Sequence, residues 1–260
     1  MKIIDSHCHL DDFFYDGTID EILSNAAVAS VDKMVAVGTH LRDWQFYCKF
    51  VGKHQNIFYT VGLHPTNSEM AEEIDALPGF LEMENKPIAI GEIGLDYHRL
   101  PKEPEAKAPA IERQKNAFAA QLKFAKASNL PVVIHSRQAF DDTFEMLTQS
   151  AIPGENVLFH CYGYGVCEMG KIKEFGAFTS FSGTITYKPD MAEPLKAANL
   201  NRLLIETDCP YLTPNPHKPK RNEPAFLRAT AECAAKILNM RDGDFCDLVR
   251  KNTEKFFGIG

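Results

Sequence analysis

The stretch that decides the fold is "IIDSHCHL", residues 3–10, in which a short apolar run ends in His-Cys-His. Side chains two residues apart in an extended strand lie on the same side, so a strand that ends here presents His7 and His9 together. Imidazole is the commonest metal ligand among side chains. His-x-His is explained equally well by two histidines that only form hydrogen bonds at the end of a strand. The rest of the chain has to decide between these interpretations.

Apolar runs that end in Gly, His or an acid recur along the whole chain. They are "KIIDSH" (2–7), "KMVAVG" (33–38), "FYTVG" (58–62), "PIAIGE" (87–92), "PVVIH" (131–135), "NVLFH" (156–160), "AFTSFSG" (177–183) and "RLLIET" (202–207). Nearly continuous hydrophobicity is typical of strands that are buried on both faces of a parallel sheet.

Segments with helical spacing of apolar residues lie between these runs and after the last of them. They cover residues 19–29, 110–127, 139–148, 224–238 and 245–257. We take Asn222 as the N-cap of the fourth segment, with Pro224 in its first turn. Strands that alternate with helices form parallel βαβ units, and eight of them in one chain predict an α/β fold, a (β/α)8 TIM barrel.

The barrel is predicted to be a single domain over residues 1–260, since no linker or low-complexity segment interrupts the chain. A doubly wound open sheet is the alternative, but no GxGxxG follows the first strand. The polar, proline-containing stretch "HRLPKEPEAKAPAIER" (98–113) predicts a long loop after the fourth strand.

Composition and charge limit the classes of function. The net charge of −7 is opposite to that of a non-specific nucleic-acid coat protein, although it leaves an enzyme that acts on DNA open. The seven cysteines are scattered and include no CxxC, which favours a reducing cytoplasm over a disulfide framework. No apolar run approaches the length of a membrane span, and no secretion signal opens the sequence. We therefore expect a cytoplasmic protein without a membrane or obligate protein partner.

Residues with metal-ligand chemistry concentrate where the predicted strands end. Active-site groups of a barrel lie at the C-terminal ends of its strands. Five of the nine histidines and two acids fall there: His7, His9, His64, Glu92, His135, His160 and Asp208. This concentration predicts a metal site at the mouth of the barrel.

The ligand types indicate two divalent ions. His7, His9 and Asp208 are suited to hold one ion, and His135 and His160 a second. Two neighbouring cations repel, and Glu92, on the strand between the two groups, is placed to supply an anionic bridge. Mixed histidine and carboxylate ligands suit Zn or Mn and tolerate Mg, so the identity of the metal stays open.

Basic residues near the same rim are candidate substrate contacts. Lys218, Lys220 and Arg221 cluster in "PHKPKRNEP" (216–224), after the eighth strand. Loops after strands seven and eight often bind phosphate in barrels, although a charge run is also ordinary solvated surface. Arg137, two residues past His135, is placed to orient an anionic group.

Four further residues beside the predicted ligands have open or structural roles. Glu206 either supports a metal ligand or pairs with a neighbouring base. Cys8, Cys161 and Cys209 each adjoin a predicted ligand, and we expect them to be small buried side chains rather than nucleophiles.

The motifs "DSHCHL", "VGLHP", "GEIGLDY", "PVVIHSR", "HCYG", "SFSG" and "ETDCPYLTP…KRNEP" together resemble the TatD family of metal-dependent deoxyribonucleases, in order and over essentially the whole chain. The resemblance implies a TIM barrel, a two-metal centre and hydrolysis of DNA, often as a 3′–5′ exonuclease. It implies that one ion is bound by His7, His9, Glu92 and Asp208. The other would be bound by Glu92, His135 and His160, with His64 near the scissile phosphate.

Three features depart from the family pattern. The sequence His-Cys-Tyr-Gly-Tyr (160–164) stands where the family usually has His-Cys-Phe followed by Ser or Thr and Gly. Gln138 replaces an acid after "HSR", and the stretch 98–113 is longer than usual. None of these changes touches a predicted ligand, but the two tyrosines put the fit of the substrate in question.

The sequence thus predicts a hydrolase in which an activated water attacks phosphorus. Asp208, Glu92 and His64 would be the catalytic residues, and Lys218, Lys220 and Arg221 would track neighbouring phosphates of a DNA substrate. An enzyme that splits a small C–N or ester bond on the same barrel is the first alternative, because attack at carbonyl carbon needs the same water. A catalytically inactive binding protein is the second.

Overall fold

Eight strands form one parallel sheet in chain order in a computed structural model that describes residues 1–260. They are β1 (Ile3–Cys8), β2 (Val31–Gly38), β3 (Ile57–Val61), β4 (Ala89–Asp96), β5 (Val132–Arg137), β6 (Val157–Phe159), β7 (Phe178–Phe181) and β8 (Leu203–Ile205). The end of β1 and the residue after it are hydrogen-bonded to the segment that follows β8, since Asp208 N–H donates to the His7 carbonyl and His9 N–H to the Cys209 carbonyl. The sheet thus closes on itself, and the predicted TIM barrel is confirmed.

Ten α-helices surround the strands. They are α1 (Asp11–Tyr15), α2 (Ile19–Val28), α3 (Leu41–Phe50), α4 (Leu77–Leu81), α5 (Pro104–Ser128), α6 (Phe140–Ser150), α7 (Val166–Phe175), α8 (Ala192–Ala197), α9 (Leu227–Ile237) and α10 (Asp242–Phe257). A 3-10 segment, Pro65–Ala76, follows β3. No helix is long and apolar enough to cross a bilayer.

Two local predictions are wrong. The loop predicted over residues 98–113 ends at Glu103, because α5 begins at Pro104. A proline fits the first turn of a helix, and the polar residues that follow are exposed rather than irregular. Asn222 is not an N-cap either: it is buried, and its side-chain amide donates to the carbonyls of Thr207 and Tyr211. It thereby holds the loop that follows β8.

The apolar core explains why the polar residues collect at one end of the barrel. A large cluster fills the layer between strands and helices. A smaller cluster joins residues from most of the strands, among them Ile4, Val133 and Phe178, to Phe256 and Phe257 of α10. Side chains from strands all around a barrel can contact one another only in its interior, so the smaller cluster fills the interior. The C-terminal end of α10 therefore closes the lower end, and ligand-type residues are confined to the opposite mouth.

Asp5 ties the first strand to the last. Its side chain is fully buried; one carboxylate oxygen accepts the N–H of Thr207 (3.0 Å) and of His7 (3.3 Å), and the other accepts the Thr207 hydroxyl (2.5 Å). Burial raises the pKa of Asp5 to about 7, against the lowering effect of these donors. Asp5 is not among the residues predicted for the site, although an acid within an apolar strand run was a visible signal.

Asp5→Ala is expected to lower the free energy of unfolding by about 3 kcal/mol, because it leaves buried donors without an acceptor. Denaturant unfolding followed by far-UV circular dichroism measures the change. Asp5→Asn keeps an acceptor and the volume, so its cost should be about 1 kcal/mol. An alanine variant as stable as the parent protein would contradict the role of Asp5 in closing the barrel.

Candidate metal centre

The structure brings all seven predicted ligand-type residues together at the C-terminal mouth of the barrel. One group joins His7, His9 and Asp208: Asp208 Oδ1 lies 3.7 Å from His7 Nε2 and 3.5 Å from His9 Nε2. His7 lies near the end of the buried strand β1, and Asp208 follows β8, so the closure of the barrel creates this group.

A second group surrounds Glu92 Oε1. His135 Nδ1 lies 2.6 Å from this oxygen, His160 Nε2 2.7 Å and His64 Nε2 3.4 Å. The other oxygen, Glu92 Oε2, lies 3.4 Å from His7 Nε2 in the first group. Glu92 therefore stands between the two groups with one carboxylate oxygen toward each, which is the placement that a bridging ligand needs.

Glu92 is almost completely buried and is held ionised by its neighbours. Burial opposes ionisation, but His160, His64 and His135 outweigh it and hold the pKa of Glu92 well below its usual range. Such a buried carboxylate, surrounded by imidazoles, supplies the negative charge that divalent cations require.

Several buried polar atoms of this centre have no hydrogen-bond partner. They are both ring nitrogens of His7, Nδ1 of His160 and Oε1 of Glu206. Unsatisfied buried polar atoms are rare and costly, and a functional site is a common reason for them. Burial and the nearby His160 lower the pKa of His7, which keeps its imidazole neutral and able to bind a cation. Nitrogen and carboxylate donors of this kind fit divalent metal ions, as in the predicted site.

His64 reaches the centre in a defined tautomer. Thr66 N–H donates to His64 Nδ1 at 3.2 Å, so in the neutral ring the proton is on Nε2, which faces Glu92. Burial lowers the pKa of His64, which favours this neutral ring. The geometry makes Nε2–H a hydrogen-bond donor at the centre, in agreement with a role beside the substrate.

Asp96, which sequence reasoning missed, orients His135. Strand β4 does not end at Glu92 but runs on to Asp96, whose Oδ2 lies 3.1 Å from His135 Nε2. Gly94 permits this approach, because it has a φ of +142° and a Cβ there would lie 2.0 Å from the His135 carbonyl oxygen. With Nε2–H donated to Asp96, the lone pair of His135 Nδ1 faces Glu92 and is suited to bind a metal ion. The motif "GLDY" contained the signal.

Asp96→Asn is expected to weaken metal binding by about 10- to 100-fold, since a neutral amide orients His135 less firmly and lowers its basicity. Competition with a chromophoric chelator measures the affinity. Asp142→Asn is the matched control, because Asp142 lies nearby but accepts hydrogen bonds only from Tyr97 and Lys115. Equal affinities of the two variants would show that Asp96 has no such function.

Glu206 lies beside the ligand-type residue His160, which favours the first of its two possible roles, support of a metal ligand. Its Oε1 lies 3.4 Å from His160 Nδ1, and Oε2 accepts the hydroxyl of Ser180. No lysine or arginine pairs with it. Glu92 and Glu206 outweigh the effect of burial and raise the pKa of His160 well above its usual value.

A cavity of about 910 Å³ opens over the centre. Arg137 lines it, as predicted, together with two cations that were not predicted, Arg99 and Lys188. The predicted phosphate contacts from the loop after β8 do not line it. Lys218 lies 3.1 Å over the ring of Tyr187, Arg221 pairs with Asp12 and Asp16, and Lys220 is exposed.

The two tyrosines that depart from the family pattern line the cavity, but their hydroxyl groups are used within the protein. The Tyr162 hydroxyl donates to the Gly165 carbonyl (2.6 Å), and that of Tyr164 lies 2.8 Å from Ser136 Oγ. They stabilise the loop after β6. The predicted burial of the cysteines holds for Cys8 and Cys209, whereas Cys161 is partly exposed in the cavity wall.

Buried histidines and carboxylates around the mouth of a (β/α)8 barrel define a metal-dependent hydrolase. The family model "TatD related DNase" matches residues 4–258, and the chain belongs to the TatD family. It is 32% identical to the uncharacterized metal-dependent hydrolase YcfH of Escherichia coli K12, over 100% of this chain and 97% of that protein.

Further comparisons agree. Identity to the uncharacterized metal-dependent hydrolase YabD of Bacillus subtilis is 32%, with 99% of both chains covered. Among solved structures, YjjV, a TatD homologue from Escherichia coli K12, superimposes with a TM-score of 0.90 at 26% identity and covers 99% of this chain and 98% of its own. The family resemblance predicted from the sequence is confirmed.

Proposed function

We propose that this chain cleaves phosphodiester bonds of DNA, removing nucleotides from the 3′ end of a single strand, with two divalent ions at the centre. The observation that carries the proposal is a set of three cations in the cavity wall, which also contains the carboxylates of Asp11, Asp12 and Asp43 and of the ligand-type residues Glu92 and Asp208. In a chain of net charge −7, the cavity beside the metal centre is lined by Arg99, Arg137 and Lys188.

These three cations have no carboxylate partner within 4.0 Å, whereas Arg113, Arg241 and Arg250 elsewhere in the chain do. Arg99 follows β4, Arg137 is the last residue of β5, and Lys188 follows β7, so the fold brings all three to one opening. Cations left unpaired around a cavity favour an anionic ligand, and phosphate oxygens suit the planar guanidinium group in particular. A small neutral amide or ester would leave these charges without a function.

The metal ions would be held by the two groups of ligands described above. His7, His9 and Asp208 would bind one ion, His135 and His160 the other, with Glu92 shared. Divalent ions so bound lower the pKa of water to about 7 and neutralise charge on a phosphoryl oxygen.

The protein's own groups supply the positioning and the proton transfers. His9 and His7 outweigh burial and lower the pKa of Asp208, so its carboxylate is ionised at neutral pH, as a metal ligand must be. In the proposed reaction this carboxylate also accepts the proton of the attacking water. His64 offers its Nε2–H as a donor to a phosphoryl oxygen. Arg99, Arg137 and Lys188 hold the phosphates of the strand.

The proposal is tested with metal-stripped protein and a 5′-labelled single-stranded oligonucleotide, with Mg, Mn or Zn restored in turn. A metal-dependent ladder that shortens from the 3′ end is the expected result. Hydrolysis of small esters or amides without any cleavage of DNA would favour the first alternative. Protein that binds metal and hydrolyses neither kind of substrate would favour a binding protein.

Arg99→Ala and Arg137→Ala are each expected to raise KM for the oligonucleotide about tenfold, since a hydrogen bond to a charged group contributes about 1.5–3 kcal/mol. Steady-state cleavage at low and high salt measures the effect, which should shrink as salt rises. Arg113→Ala is the control, because Arg113 pairs with Glu69 outside the cavity. If all three variants behaved alike, the cavity cations would have no part in binding.

A further inference from the structure

Three aromatic side chains are exposed: Phe14, Tyr15 and Tyr211, with 45%, 52% and 57% of their surface accessible. Tyr211 comes three residues after Asp208, lines the cavity, and has its ring centroid 5.9 Å from that of His9. Phe14 and Tyr15 end α1, whose first residues, Asp11 and Asp12, line the same cavity. One exposed ring therefore lies beside the metal centre, and two lie at the end of a helix that starts at the cavity.

The outer rings are held rigidly by the neighbouring helix α3. The ring centroid of Phe46 lies 4.9 Å from that of Phe14 and 5.7 Å from that of Tyr15. The guanidinium carbon of Arg42 lies 4.7 Å from the centroid of Tyr15. These contacts fix the rings before any ligand arrives, so little conformational entropy would be lost on binding. We call Phe14, Tyr15, Arg42 and Tyr211 the rim surface.

The charges around the rim surface suit an anionic chain, although the sequence places two acids beside it. Asp12 and Asp16 both lie close to it, but Arg221 pairs with Asp16 at 2.5 Å and with Asp12 at 3.5 Å. Arg42 and Lys220 have no carboxylate partner and remain available to phosphates. Arg221, from the loop after β8, thus lies beside the rim surface rather than inside the cavity.

We propose that the rim surface binds the part of the single strand that lies outside the cavity, by stacking nucleobases on Tyr211 and Tyr15. The proposal rests on the proposed function. Aromatic side chains bind bases of any sequence because every base has a π-face, and cations interleaved with them follow the backbone. Bases paired in a duplex are stacked on one another and do not offer their faces, so the occupant is a single strand.

The experiment compares two substrates that reach different parts of the site. Bis(p-nitrophenyl) phosphate occupies the centre alone, whereas a 12-nucleotide single strand extends over the rim surface. Tyr15→Ala in the metal-loaded enzyme should raise KM for the oligonucleotide about tenfold, since each base stacked on an aromatic ring contributes about 1–3 kcal/mol. Its kinetics with the small phosphodiester should stay within twofold of the parent enzyme.

Tyr15→Phe keeps the ring and should behave as the parent enzyme. Val166→Ala, at an exposed apolar residue of α7 away from the rim surface, is the surface control. An oligonucleotide with abasic sites outside the cleaved end gives a second measurement: it should bind more weakly to the parent enzyme, and the loss should be smaller for Tyr15→Ala, which keeps only Tyr211 for stacking.

The outcomes separate the two proposals. If the parent enzyme cuts DNA and Tyr15→Ala has an unchanged KM, or if Tyr15→Phe is as impaired as Tyr15→Ala, the rim surface does not bind by stacking. If the parent enzyme does not cut DNA at all, the proposed function fails. The fluorescence anisotropy of labelled single-stranded DNA, mixed with the metal-loaded protein, then tests binding at the rim surface independently of cleavage. Binding that is lost in Tyr15→Ala supports the rim surface. Equal binding to both proteins, or no binding to either, overturns it.

Discussion

Asp208→Asn is expected to reduce kcat by about a thousandfold or more, because it removes a metal ligand and a proton acceptor in one step. The fold should be retained. Asp208 has a φ of +55°, in the left-handed region, where asparagine is among the few non-glycine residues that are readily accommodated. The backbone N–H of Asp208 donates to the His7 carbonyl, and the Asp208 carbonyl accepts the Tyr211 N–H. Neither hydrogen bond depends on the Asp208 side chain.

Cleavage of single-stranded DNA and thermal unfolding of the metal-stripped protein are the two measurements for this variant. Asp12→Asn is the matched control, since Asp12 lines the same cavity outside the ligand groups. Activity of Asp208→Asn within tenfold of the parent enzyme would remove Asp208 from the catalytic residues.

Glu92→Gln is expected to weaken the binding of both ions, each by about 100-fold, because one carboxylate faces both groups of ligands. The amide also places a donor among His64, His135 and His160, where an acceptor is needed. Calorimetric titration of metal into the stripped protein measures both sites. Glu168→Gln is the control, as Glu168 accepts the Gly165 N–H at the surface beside the cavity. Loss of a single ion would show that Glu92 serves one site and is not a bridge.

The strands and the ligand-type residues could be predicted because both follow from one constraint. A strand buried on two faces is mostly apolar until it approaches the mouth, so a His or acid that follows an apolar run indicates that the mouth is near. Glu92 shows the limit of this rule. It is the first acid of its run, yet β4 continues for four residues, because Gly94 and the apolar residues beside it keep pairing with β5. The same extension hid Asp96.

The cations of the cavity could not be assigned from the sequence, since the path of a loop decides which side chains reach the opening. Lys218 and Arg221 follow the last strand, as expected of phosphate contacts, but an aromatic ring and two acids hold them elsewhere. Arg99 lies in what the sequence presents as an irregular stretch. Its position is fixed by the Arg99 N–H, which donates to Asp96.

The ligand-type residues come from six of the eight strands, or from the residues directly after them: β1, β3, β4, β5, β6 and β8. Ions bound among them would therefore fasten the barrel around most of its circumference. A ligand present at 100 times its Kd stabilises the folded state by about 2.7 kcal/mol. Protein that lacks its ions would open more often and be degraded sooner. The supply of free metal would then determine how long each molecule survives, as well as how fast it works.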